Sequence, residues 1–323
     1  MRDPVFDVLD EAVRWLAEGR AATLVTVLRT WGSSPRPPAS VMALRDDGLV
    51  SGSVSGGCVE DDLQERLRGG PPRGIETLGY GGRDEERVRL PCGARLELLL
   101  EPLHEAGRIA PARDALAQRR PVRRRLETAT GRVAFELPDA VAPVAAVEQD
   151  GDCVTVTWGP QWRLLLIGCN DLARYLADMA QAVGFEVLVC DPRQDGPAWQ
   201  PGGARRVAGM PDDAVRQWAA DGRSAVVALS HDPRLDDLAL LEALDSEAFY
   251  VGALGSRANN ERRRERLATL GLSAAALARL HGPVGLPIGS RTPAEIAVSV
   301  LAELLQVRSA VPAAAPGRTA DRP

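Results

Sequence analysis

Residues 164–173 read Leu164-Leu-Leu-Ile-Gly168-Cys169-Asn170-Asp171-Leu172-Ala173: an apolar run, a glycine turn and the start of a helical pattern. This order matches the strand–turn–helix of a nucleotide-binding unit. Asp191 follows about 20 residues further on, where that fingerprint places an acidic residue. Asn170 stands where the second glycine of the fingerprint normally lets a pyrophosphate approach the backbone. The pattern therefore favours a Rossmann-like fold and weakens ordinary NAD(P) binding, and a plain strand-to-helix connection is the alternative.

Strands and helices continue to alternate on the C-terminal side of this unit. Buried apolar strands separated by amphipathic helices predict an α/β fold: a C-terminal Rossmann-like parallel sheet with helices on both faces. The predicted strands are 163–167, 186–190, 225–229 and 248–251, with a short one near 204–207. The predicted helices are 171–183, 212–220, 235–244, 259–270, 274–280 and 293–308.

Polar residues follow several of these strands, at the edge where open parallel sheets bind ligands. Asp191 and Arg193 follow the second long strand, and Ser230-His231-Asp232 follows the third. The next strand leads into Gly255-Ser256-Arg257, which offers backbone amides at a helix start together with a cation. That combination predicts an anion site. His231 fits a proton donor, a metal ligand or a structural neighbour of a helix start.

A smaller mixed α+β domain is predicted to precede the parallel sheet, over residues 1–103. It begins with an amphipathic helix over residues 4–18, whose apolar side chains repeat at helical spacing. The turn Asp46-Asp47-Gly48 predicts a β-hairpin. The remaining predicted elements are strands at 23–28, 40–44, 49–52, 88–90 and 95–100 and a short helix at 60–68.

Residues 104–160 are predicted to connect the domains, residues 161–309 to form the Rossmann-like domain, and residues 310–323 to be a disordered tail rich in Ala and Pro. The connecting region contains a predicted helix over 104–118 and two strand-like segments, at 132–137 and 153–158. Its basic run from Arg119 to Arg125 fits either an anion site or an exposed charged face. The short length of the run favours the exposed face.

Two of the five cysteines lie in glycine-lined turns of the N-terminal domain. Cys58 follows Gly56-Gly57, and Cys92 stands between Pro91 and Gly93. Glycine permits a close backbone approach to a ligand, so these turns suit soft-metal or sulfur chemistry. Cys58 is the better candidate because a helix start lowers the pKa of a thiol, whereas Cys92 equally fits a structural turn. No CxxC or HxxxH pair typical of structural zinc occurs.

The composition argues against several classes of protein. A net charge of −5 and a pI near 5.5 argue against nucleic acid or an anionic membrane surface as the main partner. No apolar run approaches the ~18 residues of a membrane-spanning helix. The first residues lack the apolar stretch of a signal peptide. An odd number of cysteines indicates reduced thiols, so we expect a cytoplasmic protein.

Seven motifs occur in order through both predicted domains. They are Gly32-Ser33-Ser34-Pro35-Arg36, Gly56-Gly57-Cys58-Val59-Glu60, Leu90-Pro91-Cys92-Gly93, Asp191-Pro192-Arg193, Ser230-His231-Asp232, Gly252-Ala253-Leu254-Gly255-Ser256-Arg257 and Gly289-Ser290-Arg291-Thr292-Pro293-Ala294-Glu295-Ile296-Ala297. Together they resemble the XdhC/CoxI family, the accessory proteins in the maturation of xanthine dehydrogenase and carbon monoxide dehydrogenase. Typical members have Gly-Ala-Gly-His where this chain has residues 168–171.

This resemblance implies a maturation factor that binds molybdenum cofactor (molybdopterin), supports its sulfuration and delivers it to a molybdenum hydroxylase such as xanthine dehydrogenase. The implied partners are that client enzyme, a cysteine desulfurase as sulfur donor, and a second copy of the chain as a homodimer. The cofactor is an anionic pterin with a phosphate and a dithiolene, so it needs cations and amide-rich turns. We expect it to bind in a cleft between the two domains.

The candidate cofactor-binding residues are Arg36, Gly56, Gly57, Cys58, Glu60, Cys92, Gly168, Asp191, Arg193, His231, Gly255, Ser256 and Arg257. Cys58 is also the candidate for a direct contact to molybdenum. Glu60 either orients a ligand or caps its helix. Cys153, Cys169 and Cys190 lie in or beside predicted strands and are expected to be structural.

The absence of a recognisable nucleophile–base set favours a carrier over a catalyst. The first alternative is an NAD(P)-dependent oxidoreductase that uses the Rossmann-like domain, with Cys58 or His231 as the reactive group. The second alternative is a silent scaffold whose sheet mediates dimerisation. Asn170 and Cys58 are the residues that distinguish these interpretations.

Overall fold

The computed structural model describes residues 4–32, 36–81, 95–138, 146–193 and 203–310, without the side chains of Pro4 and Cys58. The described chain forms two compact units, one within residues 4–160 and one within residues 161–310. The first unit contains two antiparallel sheets, and the second contains one parallel sheet.

The first sheet has five strands in the order β3-β2-β1-β5-β4. Its elements and the two helices of this part of the chain are α1 Pro4–Ala17, β1 Ala22–Trp31, β2 Val41–Arg45, β3 Val50–Gly52, α2 Cys58–Arg66, β4 Glu76–Tyr80 and β5 Arg95–Leu103. The predicted hairpin is confirmed, because β2 and β3 pair antiparallel across the Asp46-Asp47-Gly48 turn. The strand predicted at 88–90 lies outside the described residues.

Both faces of this sheet are covered. Val8 and Leu9 of α1 pack on one face, and Val59 and Leu63 of α2 pack on the other. Gly52 lets α1 approach closely: its φ is +83°, and a Cβ there would lie 2.4 Å from Val8 Cγ2. A larger residue would push the helix off the sheet.

The second sheet has four strands in the order β7-β6-β9-β8. Its strands are β6 Val122–Glu127, β7 Val133–Glu136, β8 Ala146–Asp150 and β9 Cys153–Trp158. A 3₁₀ turn at Ala106–Arg108 and helix α3, Ala110–Ala117, precede it. The continuous helix predicted over 104–118 is therefore wrong in its first turns. Pro111 explains the break, because proline fits the first turn of a helix and not its interior.

The exposed-face interpretation of the arginine run is wrong for Arg124. Strand β6 alternates its side chains between two faces, so Arg124 points inward and is 2% exposed while Arg125 is exposed. The Arg124 guanidinium donates to both carboxylate oxygens of buried Glu101, at 2.6 and 2.8 Å. Arg108 donates to the same carboxylate at 2.7 Å. The pairing compensates the burial of these charges.

The second unit is a six-stranded parallel sheet in the order β12-β11-β10-β13-β14-β15, which confirms the predicted Rossmann-like fold. Its strands are β10 Arg163–Ile167, β11 Glu186–Cys190, β12 Arg205–Val207, β13 Ser224–Ala228, β14 Tyr250–Ala253 and β15 Leu280–His281. Its helices are α4 Asp171–Ala182, α5 Pro211–Trp218, α6 Pro233–Asp245, α7 Arg257–Thr269, α8 Ala274–Ala278 and α9 Pro293–Ala310.

Helices cover both faces of this sheet, as predicted. Leu164 and Leu166 of β10 face α4 and α9, whereas Leu165 and Ile167 face α5, α6 and α7. The observed element boundaries lie close to the predicted ones, and the two-residue strand β15 was not predicted. None of the described helices is long and apolar enough to cross a membrane.

Replacement of Arg124 by alanine should lower the free energy of unfolding by about 3 kcal/mol, because it leaves the buried Glu101 carboxylate with less compensating charge. Urea denaturation followed by tryptophan fluorescence measures this. The matched control is Arg125→Ala on the same strand, which should change stability by less than about 0.5 kcal/mol because Arg125 is exposed. Equal losses in the two variants would contradict a buried ion pair.

Candidate functional site

The carboxyl ends of strands β10, β11, β13 and β14 meet at one edge of the parallel sheet. Two of them approach very closely at Gly168, whose φ is +105°. A Cβ at Gly168 would lie 2.6 Å from the Cα atom of Ser230. Gly168 is therefore required by packing at this edge, which accounts for it without a ligand.

Asn170 caps helix α4. It has an extended φ of −140°, and its Oδ1 accepts a hydrogen bond from the Ala173 N–H at 2.9 Å. Its Nδ2 donates to the Leu229 carbonyl at 2.7 Å, which ties the helix start to the residue that follows strand β13. The side chain thus fills the helix start at which dinucleotide-binding folds place a pyrophosphate.

Asp191 is held by its own chain. Its side chain is 3% exposed. One carboxylate oxygen accepts from the Cys169 N–H at 2.8 Å and from Arg193 at 2.7 Å, and the other accepts from the Arg193 side chain at 2.8 Å. Burial raises the carboxyl pKa, but the hydrogen bonds from Arg193 and Cys169 outweigh it and lower the pKa below its usual value. These contacts disfavour the ribose-binding role of a Rossmann acid.

Ser230 and Asp232 fix the backbone around His231. The Asp232 N–H donates to Ser230 Oγ at 3.1 Å, and Asp232 caps α6 by accepting from the Arg234 N–H at 3.0 Å. Ser230 also donates its hydroxyl to buried Asp236 at 2.6 Å. His231 between them is exposed and has a left-handed φ of +61°, a conformation that few non-glycine residues adopt.

The predicted anion loop forms the start of α7. Ser256 caps the helix by accepting from the Asn259 N–H at 3.2 Å. Buried Asn260 donates to the carbonyls of Gly255 and Ser256 at 3.1 and 3.2 Å, which holds the loop against the helix. Arg257 is exposed. Gly255, with φ +138°, adopts a conformation that side chains disfavour.

A cavity of about 310 Å³ opens beside this loop. His231 and Gly255, both predicted from the sequence, line it. Three arginines that no sequence motif singled out line it as well: Arg262, Arg263 and Arg266. Their helical spacing along α7 was the signal that the sequence offered for a basic site. A basic helix is equally typical of a solvated surface, so this signal did not identify the site.

The Gly56-Gly57 turn of the first unit is organised by Glu60. The N–H groups of residues 54, 55, 56 and 57 all donate to its carboxylate, at 2.8, 2.8, 3.2 and 2.8 Å. The hydroxyls of Ser53 and Ser55 donate to it as well. Glu60 thus caps its helix, one of the two predicted roles, and an anion bound by these amides would have to displace its carboxylate.

The charge of Glu60 is stabilised by these donors. Burial alone would raise the pKa of the carboxyl group. The hydrogen bonds from Ser55, Ser53 and the turn amides outweigh that effect and hold the pKa well below its usual value. A fixed negative charge therefore lies under the turn that precedes Cys58.

The remaining candidate residues are Cys58, Cys92 and Arg36. Cys58 is the first residue of α2, after Gly57 with φ +133°, and its side chain is outside the described part. Cys92 lies outside the described residues, and Arg36 is exposed. Within the described ranges, no group of three or more His, Cys, Asp or Glu side chains could hold a metal ion. The predicted molybdenum contact of Cys58 stays a prediction.

Cys169 and Cys190 are buried, as expected of structural residues. Burial raises the pKa of the Cys190 thiol to about 11, and it also raises that of Cys169. Cys153 is half-buried and accepts a hydrogen bond from Arg125 at 3.3 Å. Raised pKa values make Cys169 and Cys190 poor nucleophiles.

Comparison with known proteins finds matches along most of the chain. The family model described as the XdhC Rossmann domain matches residues 164–304, and that of the XdhC and CoxI family matches residues 15–79. The chain is 30% identical over 311 residues to the molybdenum cofactor insertion chaperone PaoD of Escherichia coli, covering 93% of this chain and 88% of that protein. The chain belongs to the XdhC and CoxI family.

Two further proteins extend the comparison. The chain is 26% identical over 325 residues to a Bacillus subtilis protein named as a probable subunit of xanthine dehydrogenase, covering 92% of this chain and 96% of that one. A crystal structure described as a xanthine dehydrogenase from Bacillus halodurans has 24% identity, a TM-score of 0.71 and 98% coverage of both chains. This structural likeness confirms the fold.

We expect Glu60→Gln to lose about 2 kcal/mol of stability at neutral pH, because an amide accepts fewer and weaker hydrogen bonds than the carboxylate. The folded-state pKa is lowered from 4.5, so the carboxylate's contribution is complete above pH 4.5 and is lost as the pH falls through the folded-state pKa. The difference between wild type and variant should therefore shrink on acidification. Denaturant titrations at several pH values measure it.

The control for this experiment is Glu65→Gln, on the same helix, where the side chain is 67% exposed. Its stability should differ from that of the wild type by less than about 0.5 kcal/mol. A Glu60→Gln loss that grows on acidification would show that the carboxylate is not the stabilising form.

Proposed function

We propose that this chain is a maturation factor that binds molybdenum cofactor as its cargo, supports the sulfuration of that cargo and delivers it to a molybdenum hydroxylase such as xanthine dehydrogenase. The observation that carries the proposal is the 30% identity, over 93% of this chain, to a protein named as a molybdenum cofactor insertion chaperone. The second relative, whose name places it with xanthine dehydrogenase, agrees with a client of that class.

The chemistry of the parallel-sheet edge supports an anionic cargo. Arginines of α7 line a cavity there, and the amides and cation of the Ser256-Arg257 helix start lie at the same edge. The dianionic phosphate of a pterin cofactor suits such donors. The cofactor-binding roles of Gly168, Asp191 and Arg193 are less well supported, because packing and internal hydrogen bonds account for them.

Cys58 is the proposed contact to the molybdenum or its terminal sulfur. A thiolate is a good ligand for a soft transition metal, and the start of α2 favours the thiolate. The Glu60 carboxylate opposes this electrostatically, yet it fixes the turn that precedes Cys58. A cysteine desulfurase as sulfur donor and a second copy of the chain complete the proposed partners.

The oxidoreductase alternative has less support from the geometry. Asn170 caps the helix start that a pyrophosphate would need, and both oxygens of Asp191 are already engaged. A carrier needs neither a dinucleotide nor a nucleophile–base set. Binding of NADH with micromolar affinity would reverse this preference.

The test is to produce the protein in a host that synthesises molybdenum cofactor and to measure molybdenum by elemental analysis and pterin by fluorescence. We expect both in wild-type protein and a reduction of at least tenfold in Cys58→Ala, because a carbon side chain cannot ligate the metal. Cofactor-free client hydroxylase should gain activity when it is mixed with the loaded wild-type protein.

Cys153→Ala is the matched control, since Cys153 is a half-buried thiol of the same unit. It should retain the wild-type content of molybdenum and pterin. Wild-type protein without either component would contradict the proposed function, and a Cys58→Ala variant with full content would contradict the role of that thiol.

A further inference from the structure

The cavity at the edge of the parallel sheet is a groove between α6 and α7. His231, Pro233 and Asp236 form the wall at the start of α6. Asn259, Arg262, Arg263 and Arg266 form the opposite wall. The second set is spaced three or four residues apart, so its members share one face of α7.

The positive charge of this groove exceeds its negative charge. Arg263 is paired with Asp236 at 3.2 Å, and Arg266 donates to both oxygens of Asp237 at 2.8 and 3.2 Å. Arg262 donates to the Asn259 amide oxygen at 2.6 Å and forms no ion pair with any carboxylate that the structure describes. The charge of Arg262 is therefore available to a ligand.

A further donor of the groove wall is buried without a hydrogen bond. Arg263 has a side chain 8% exposed, and its Nε makes no hydrogen bond within the described part of the chain. The carboxylate oxygen that faces this atom, Asp237 Oδ1, lies 3.6 Å away. Because this atom is inaccessible to solvent and faces a carboxylate, its charge is compensated by Asp237 and a ligand in the groove would contact other donors.

His231 brings a fourth group to the same groove. Its left-handed backbone is imposed by the hydrogen bonds that Ser230 and Asp232 make on either side of it. A non-glycine residue in this conformation is strained, and such strain is concentrated at functional sites. An imidazole N–H donates hydrogen bonds to oxyanions.

We propose that this groove is a phosphate-binding subsite in which Arg262 and His231 contact a phosphate monoester, with Arg263 and Arg266 supplying the positive wall. On the basis of the proposed function, the phosphate bound in this groove is that of the pterin cargo. The volume of about 310 Å³ lies at the lower end of small-molecule pockets, roughly 300–1,000 Å³, so the groove encloses one end of such a ligand. Arginine suits phosphate because its planar fork donates two parallel hydrogen bonds.

The experiment uses the three histidines of the chain as reporters. Ring resonances of the full-length protein are followed by NMR during a titration with inorganic phosphate, with chloride keeping the ionic strength constant. The His231 resonances, assigned by a His231→Gln variant, should shift and saturate, while those of His104 and His281 stay in place. Arg262→Gln should weaken the phosphate affinity about tenfold, the loss of one charge-assisted contact.

Arg234→Gln is the matched control. It removes the same charge from the neighbouring helix, where the Arg234 side chain is 88% exposed and pairs with Asp232 outside the groove. Its phosphate affinity should stay within twofold of the wild type. If phosphate affinity weakened equally in the two variants, or if the resonances of all three histidines shifted equally, the effect would be non-specific charge screening. Either result would overturn the subsite.

Cofactor content separates this inference from the proposed function. Arg262→Gln protein purified from a cofactor-producing host should hold several-fold less pterin than Arg234→Gln protein. Phosphate binding that depends on Arg262, together with unchanged pterin in Arg262→Gln, would overturn the assignment of the subsite to the cargo and leave the proposed function standing. Wild-type protein that binds phosphate but carries no pterin or molybdenum would instead contradict the proposed function and, with it, the identity of the phosphate.

Discussion

The buried carboxylate of Asp236 joins the elements around which the candidate site is arranged. It accepts hydrogen bonds from the backbone and hydroxyl of Ser230, after strand β13, and from the guanidinium of Arg263 on α7. Burial raises the pKa of this carboxyl group, while Ser230 and Arg263 counteract that effect. Because one residue of α6 holds both neighbours, the strand end, the strained His231 and the arginine face of α7 lie around a single groove.

Two further acids are satisfied by donors of their own chain. Asp191 accepts from Cys169 and Arg193, and Glu60 accepts from the amides of the glycine turn. Both acids stand in motifs that suggest ligand binding. Their carboxylate oxygens already accept the hydrogen bonds that those motifs would otherwise donate to a ligand. Arg262 of α7 differs, since it has no acid opposite it among the described residues. An anion is therefore better accommodated at α7 than at the glycine turns.

Several parts of the fold follow from local patterns that a reader of the sequence can see. The apolar run 163–167, the cap Asn170 and the helical spacing after it specify strand β10 and helix α4, and the Asp46-Asp47-Gly48 turn specifies the hairpin. Arg124 shows where such reasoning stops. Its neighbours in the run are arginines as well, and its burial depends on Glu101 from a strand of the other antiparallel sheet.

The sequence by itself determined the α/β architecture, which strands are followed by polar residues, and the placement of His231 and Gly255 at one edge of the parallel sheet. It did so because apolar periodicity and turn residues act over short distances. Tertiary structure alone decided which of these polar groups remain available. Hydrogen bonds such as Ser230–Asp236 and ion pairs such as Arg266–Asp237 join residues that packing brings together. The spacing of these residues along the chain therefore does not predict the contacts. The availability of Arg262 is therefore a property of how α6 and α7 pack, which no motif contains.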